Sequence, residues 1–322
     1  MTRHWATIGE GGAVSGLRFM AWVYRRFGRR VFNVFLVPVT LYFLARRPLA
    51  RRASREYLTR VRRYYPDAVA RDPGLFAIFL HFFQFGQSLL DKYIVWVDPP
   101  EDIDMTVRDR ELLTSIVESK RGCMLIGSHF GNLEYSRGVA HRHAGLIVNI
   151  LIYDQHATKF AALLADAAPH SRINLIQVTD LDVELALRLK ERVAAGEWLV
   201  IAGDRVPVGP GDNVCTVDFL GEPADFPIGP YVLASLLHCP VYLLHCFRTA
   251  GEYRLGIEPF AEEIVAVRAN GRRRYDRDVQ RFATALEVQL RQAPLQWFNF
   301  FDFWGRPSAR QQLPARWRHA PN

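Results

Sequence analysis

The chain reads as an α/β protein: a mainly parallel sheet covered by helices on both faces, with an N-terminal membrane-associating helical segment. Three observations point there. From about residue 106 onward, short apolar runs alternate with amphipathic stretches, as buried parallel strands alternate with helices. Two of those runs end in Gly127-Ser128-His129 and Gly203-Asp204-Arg205, which are polar junctions of the kind found where strands hand over to helices. The first hundred residues differ from the rest, being aromatic and arginine-rich. With 322 residues, 49% of them hydrophobic, the chain can bury the core of one large domain plus an appendage. The expected division is a membrane-associating helical region over 1–100, an α/β domain over 101–304 and a loosely ordered basic tail over 305–322.

Leu17 to Tyr24 is apolar and aromatic; Arg25, Arg26, Arg29 and Arg30 follow, then the apolar run Val31 to Ala45, closed by Arg46, Arg47, Arg51, Arg52 and Arg55. As a helix the second run spans about 22 Å, short of the roughly 30 Å bilayer core, and Pro38 predicts a kink in it. Basic flanks on both sides favour a segment lying in, or dipping into, an anionic leaflet. A buried helix with solvated arginine ends is the alternative. Pro73 to Ile94 predicts a helix whose phenylalanines serve either the core or the mouth of an apolar pocket.

The periodicity then predicts a helix over Thr106 to Lys120 stopping near Gly122, and strands over Cys123 to Ile126 and Leu146 to Tyr153. Next come a helix at Ala157 to Ala168, a strand at Ile173 to Val178, and a helix at Leu181 to Ala195 capped by Thr179 or Asp180. Trp198 to Ala202 is strand-like and Gly229 to His238 helical. Strands follow at Val241 to Phe247 and Tyr253 to Glu258, then a last helix at Tyr275 to Gln292.

The net charge of +8, from 41 Lys+Arg against 33 Asp+Glu, favours an anionic partner. Its arginines border apolar, aromatic runs and match no nucleic-acid motif, so a membrane surface fits and nucleic acid does not. Cys123, Cys215, Cys239 and Cys246 lack metal-ligand or disulfide-framework spacing and read as buried thiols. There is no Walker motif, and Gly9-Glu10-Gly11-Gly12 lies outside any strand-to-helix context.

The chemistry concentrates at Gly127-Ser128-His129-Phe130-Gly131-Asn132-Leu133-Glu134. Histidine, not serine, occupies the middle of the Gly-x-x-x-Gly frame, which points to a base rather than a nucleophile. His129 and Glu134 are five residues apart, too far round for one face of a continuous helix. A turn at Gly131, with Asn132 capping a new helix, lets them meet, so that the carboxylate aims the imidazole. Amides near Gly131 would then face a developing oxyanion. Asp204 and Arg205 at the next strand end suit an acceptor with phosphate or hydroxyl groups, or form a structural ion pair. Arg248 is a further candidate.

His129-x-x-x-x-Glu134 after an apolar strand resembles the His-x-x-x-x-Asp/Glu block of the glycerolipid and lysophospholipid acyltransferase superfamily, nearest the late acyltransferases of lipid A biosynthesis. Gly203-Asp204-Arg205, Phe219-Leu220-Gly221-Glu222-Pro223-Ala224 with Phe226-Pro227 and Gly229-Pro230, and Gln296-Trp297-Phe298 after Pro294 resemble later blocks, so the likeness covers nearly the whole chain. Phe300-Phe301-Asp302-Phe303-Trp304 departs from the basic ending usual there, and Asp154-Gln155-His156 from the expected acceptor side. The resemblance implies a membrane enzyme moving an acyl group from acyl-carrier protein or acyl-CoA to a lipid hydroxyl at the cytoplasmic face of a bacterial inner membrane. His129 and Glu134 would be catalytic. Asn132, Gly203, Asp204, Arg205, Phe226, Pro227, Gly229 and Arg248 would bind substrate, and no cofactor or metal takes part. A membrane glycosyl- or phospho-transfer enzyme, or an inactive binding protein on the same fold, is the alternative.

Overall fold

The computed structural model describes residues 14–69, 72–97, 104–136, 139, 143, 145–152, 173–177, 183–206, 214–269 and 272–305. The helix expected at 157–168, the caps Thr179 and Asp180 expected for the helix after them, Asp154-Gln155-His156 and the tail from 306 lie outside them.

Four helices come first: α1 (Val14–Arg46), α2 (Pro48–Tyr64), α3 (Leu75–Val97) and α4 (Val107–Glu118). The main remaining elements are β1 (Cys123–Gly127), β2 (Val148–Ile152), β3 (Ile173–Gln177), α5 (Val183–Ala194) and β4 (Trp198–Ala202), then β5 (Val214–Phe219), β6 (Glu222–Pro227), α6 (Gly229–Leu237), β7 (Val241–Thr249), β8 (Glu252–Ala261), the short antiparallel pair β9 (Val267–Ala269) and β10 (Arg272–Arg274), and α7 (Asp276–Gln292). The central sheet has six strands in the order β3-β2-β4-β1-β7-β8. Every pairing in it is parallel except β7 with β8. That hairpin turns on Ala250 (φ 51°) and Gly251 (φ 99°), two left-handed residues in a two-residue loop.

Pleat alternation divides the strand side chains between two clusters. Met124, Ile126, Leu199, Ile201 and Leu243 join Leu189 of α5, Leu233 of α6 and Phe282 of α7. Leu125, Val200, Leu244 and Cys246 join Leu113 and Ile116 of α4. Full burial of each such aliphatic side chain stabilises by about 1.5–3 kcal/mol. All four cysteines are buried free thiols.

Within α1, backbone torsions leave the helical region at Gly28 (φ 77°, ψ −179°), while Pro38, the expected kink, keeps them. The break thus falls among the arginines between the two apolar runs. Phe19–Arg46 is long and apolar enough to cross a membrane. It leaves Phe19, Trp22, Phe27, Phe35 and Tyr42 exposed, while Phe32 and Leu36 pack on Leu90 of α3.

The arginine block after residue 46 is part of α2, a helix not foreseen. Its buried stripe, Ala53, Ser54, Tyr57, Leu58 and Val61, follows the 3–4 spacing of one helical face. Through that stripe α2 docks on the α/β core: the Tyr57 hydroxyl donates to Pro294 O (2.8 Å) and Ser54 Oγ meets His81 Nδ1 (2.9 Å). The α3 phenylalanines divide: Phe82 and Phe85 pack on Phe300, while Phe83 faces α1.

Candidate active site

β1 and β4 are parallel neighbours in the register Gly127↔Ala202. His129 and Asp204 each stand two residues past that pair, so the two strand ends deliver them to the same place. Gly203 N–H donates to Gly127 O (2.8 Å) and ties the ends together. Any larger residue at 203 would press on Ile126 and Phe282, so the packing of these strand ends requires glycine there.

His129 Nδ1 lies 2.7 Å from Asp204 Oδ1, and the His129 backbone N–H donates to Asp204 Oδ2 (3.0 Å). Trp297 Nε1 (2.9 Å) and Asn299 Nδ2 (3.1 Å) also donate to Oδ2. Asp204 is fully buried, whereas the His129 side chain is 32% exposed. Burial pushes the Asp204 carboxyl up, but the His129 ring and then the Arg205 guanidinium outweigh it and hold the group well below the usual carboxylate range. Burial, followed by the Arg205 charge, lowers the pKa of His129; Asp204 opposes this without cancelling it. Near neutral pH the pair is therefore a carboxylate and a neutral imidazole. With Nδ1–H donating to Asp204, the tautomer leaves Nε2 as a proton acceptor.

The carboxylate on the ring is thus Asp204, not the expected Glu134. Gly131 does make the expected turn: φ is +66° and a Cβ there would stand 2.0 Å from Cys246 O. Asn132, buried, accepts the Glu134 N–H at its Oδ1 (3.2 Å), capping a short 3₁₀ turn, Leu133–Ser136. The amides expected to face an oxyanion are engaged inside the protein: Gly131 N–H donates to Gln296 O and Asn132 N–H to Cys246 O, both at 2.7 Å.

Other expectations also change. The Arg205 guanidinium holds the C-terminal segment, donating to Asn299 Oδ1 (2.7 Å) and Phe298 O (2.9 Å). Asp204 likewise spends its oxygens within the protein, on His129, Trp297 and Asn299. Phe226 and Pro227 are buried, Phe226 among the rings of Phe219, Phe282 and Phe303, because the β5–β6 hairpin packs onto α7 through β5. Gly229, partly buried, opens α6. Arg248 lines a cavity together with Gln84, Gln87 and Gln296.

Sequence reasoning passed over Trp297 and Asn299. Gln296-Trp297-Phe298 stood out only as a resembling block, and nothing in its composition announces a donor to a carboxylate 93 residues away in sequence. Among the described residues, no group of three or more His, Cys, Asp or Glu gathers as metal ligands would.

The family described as bacterial lipid A biosynthesis acyltransferase matches the chain over residues 78–306, from within α3 to just past the C-terminal segment. No curated protein matches the chain.

Proposed function

The chain belongs to the bacterial lipid A biosynthesis acyltransferases, an acyltransferase family acting on lipid acceptors, and from that premise we propose that His129 is the general base of O-acyl transfer. The donor is an acyl thioester on acyl-carrier protein or CoA, and the acceptor a hydroxyl of a membrane lipid such as a lipid A precursor or other glycolipid. The reading rests on one observation: a buried carboxylate 2.7 Å from Nδ1 of a partly exposed histidine at two adjacent strand ends.

As the acceptor oxygen attacks the thioester carbonyl, its proton passes to His129 Nε2. The tetrahedral adduct collapses, the C–S bond breaks, and the leaving thiolate takes that proton from the imidazolium. Asp204 keeps the ring in the productive tautomer and stabilises its transient charge, as a triad aspartate does. Glu134 takes no part in aiming the ring. The exposed aromatic face of α1, with its arginines, anchors the enzyme at the cytoplasmic face of a bacterial inner membrane.

The test is turnover of the full-length H129A variant with acyl-carrier protein or CoA thioesters and a panel of membrane lipids. A positioned base contributes about 10² to 10⁴-fold. Loss of that size in a variant that still folds and binds anionic vesicles supports the reading; retained turnover contradicts it.

A further inference from the structure

Arg29 directly follows the break in α1 at Gly28 and turns toward α3. Its Nη1 lies 3.4 Å from Asp91 Oδ2 and its Nη2 bonds Asp91 Oδ1, so the guanidinium forks onto the carboxylate. Asp91 is buried, at 1% exposure. A carboxylate so placed keeps its charge only with a cation and hydrogen-bond donors on its oxygens. The further donor is the Tyr253 hydroxyl on β8, 2.8 Å from Oδ2. Burial, and then the Asp91 charge, push the Tyr253 phenol well up, which keeps that donor protonated.

Helices α1 and α3 run antiparallel past this pair. Asn33, one turn after Arg29, accepts at Oδ1 from Nε2 of Gln87, one turn before Asp91 (2.9 Å). Further along, Leu36 lies over Gly86, where a Cβ would stand 2.7 Å from Leu36 Cδ1. Toward the sheet, α3 grips the segment that carries His129. Ser88 Oγ donates to Gly131 O (3.3 Å). The Tyr253 ring, whose hydroxyl Asp91 holds, stacks on Tyr135 with centroids 4.1 Å and planes 26° apart. Tyr135 belongs to the 3₁₀ turn Leu133–Ser136 that follows the catalytic loop. The loop and its turn are thus fastened to α3 at Gly131 and, by way of Tyr253, at Tyr135.

We propose that Arg29 and Asp91 are positioning residues for the general base: their ion pair fixes Tyr253 and, through its ring, the turn that holds the His129 loop. This rests on the acyl-transfer reading above. α1 then belongs to the catalytic assembly as well as to the anchor. Without the cation, Asp91 shifts toward its neutral form, and the bond from Tyr253 loses its charge assistance, which makes it about half as strong. The loop gains slack, and small misplacements of a catalytic group are costly in rate.

Full-length R29Q, R30Q and Y253F in detergent test this by turnover and by ring-nitrogen NMR of histidine-labelled protein. R29Q is expected to lower kcat about tenfold or more, with the KM for the acyl thioester within about twofold. R30Q removes the same charge from an exposed position and measures what charge alone does. The His129 ring signals should move in R29Q. Those of His81, held by Ser54 and Trp297, should stay, which a general loosening of the fold would not allow. A loss in R29Q no larger than in R30Q, or one carried by KM, overturns the proposal. So do His129 signals that stay put, or His81 signals that move equally. Y253F keeps the ring stack and loses only the hydroxyl, so it carries the same NMR test if R29Q does not fold; unmoved His129 signals there overturn the proposal too. If the NMR result fails while H129A still abolishes transfer, only the positioning role falls.

Discussion

Two histidines lie on either side of Trp297, and they differ in the way that separates a structural imidazole from a reactive one. His81 on α3 is fully buried between a hydroxyl and a carbonyl: Nδ1 meets Ser54 Oγ (2.9 Å) and Nε2 meets Trp297 O (3.0 Å). Both nitrogens are engaged and no carboxylate adjoins. Burial lowers its pKa to about 4, so it is neutral at every physiological pH. His129 has one nitrogen on a buried carboxylate and a side chain one-third exposed. The same tryptophan serves both, with its carbonyl toward His81 and its indole N–H toward Asp204. Burial with both nitrogens satisfied fixes a ring in place; a buried anion on one nitrogen and access at the other prepare it to take a proton.

The comparison breaks most visibly at Asp204. D204N is expected to lower transfer by about 10² to 10⁴-fold, because the ring loses both its tautomer and the charge that steadies the imidazolium. Steady-state rates on the folded variant measure it. The second effect belongs to His81 and concerns stability alone. Its folded pKa lies below the unfolded value of 6.5, so the unfolded chain binds more protons as pH falls through that window. His81 thus costs no stability above pH 6.5 and destabilises progressively down to about pH 4, by roughly 3 kcal/mol in total. H81Q should flatten that part of the denaturation-midpoint profile while leaving most of the transfer activity.

W297F sharpens the link between the two sites. It leaves a buried carboxylate oxygen one donor short, a loss of about 1–3 kcal/mol in stability, with transfer down about tenfold. The smallest expected effect is on pH dependence. Since burial and Arg205 depress the His129 pKa, the acid limb of the transfer profile should lie below the ordinary histidine value of 6.5, and a limb above it would contradict the electrostatics described.

Much of the sheet was legible because buried parallel strands are short apolar runs: Trp198 to Ala202 was read to the residue, and Cys123 to Ile126 to within one. Where local composition misleads, the reading failed. α2 is arginine-rich on average, and its stripe of five buried residues is hidden unless one looks round the helix. The β5–β6 hairpin turns on Leu220 (φ 55°) beside Gly221 (φ 74°), and leucine is not a turn residue, so the tertiary setting imposes that conformation. In the site, His129 and the Gly131 turn were readable from local chemistry. Its carboxylate was not. Choosing Asp204 over Glu134 requires knowing that β4 lies beside β1, a fact of sheet order that no spacing along the chain encodes. Trp297 and Asn299 were invisible for the same reason.

The most direct test of the central claim is the protonation pattern of the His129 ring, read by nitrogen-resolved NMR of selectively labelled protein near neutral pH. A proton on Nδ1 with Nε2 bare, kept in E134Q and lost in D204N, is the result predicted. A proton on Nε2 in the unaltered protein, or a pattern that survives D204N and disappears in E134Q, would contradict it.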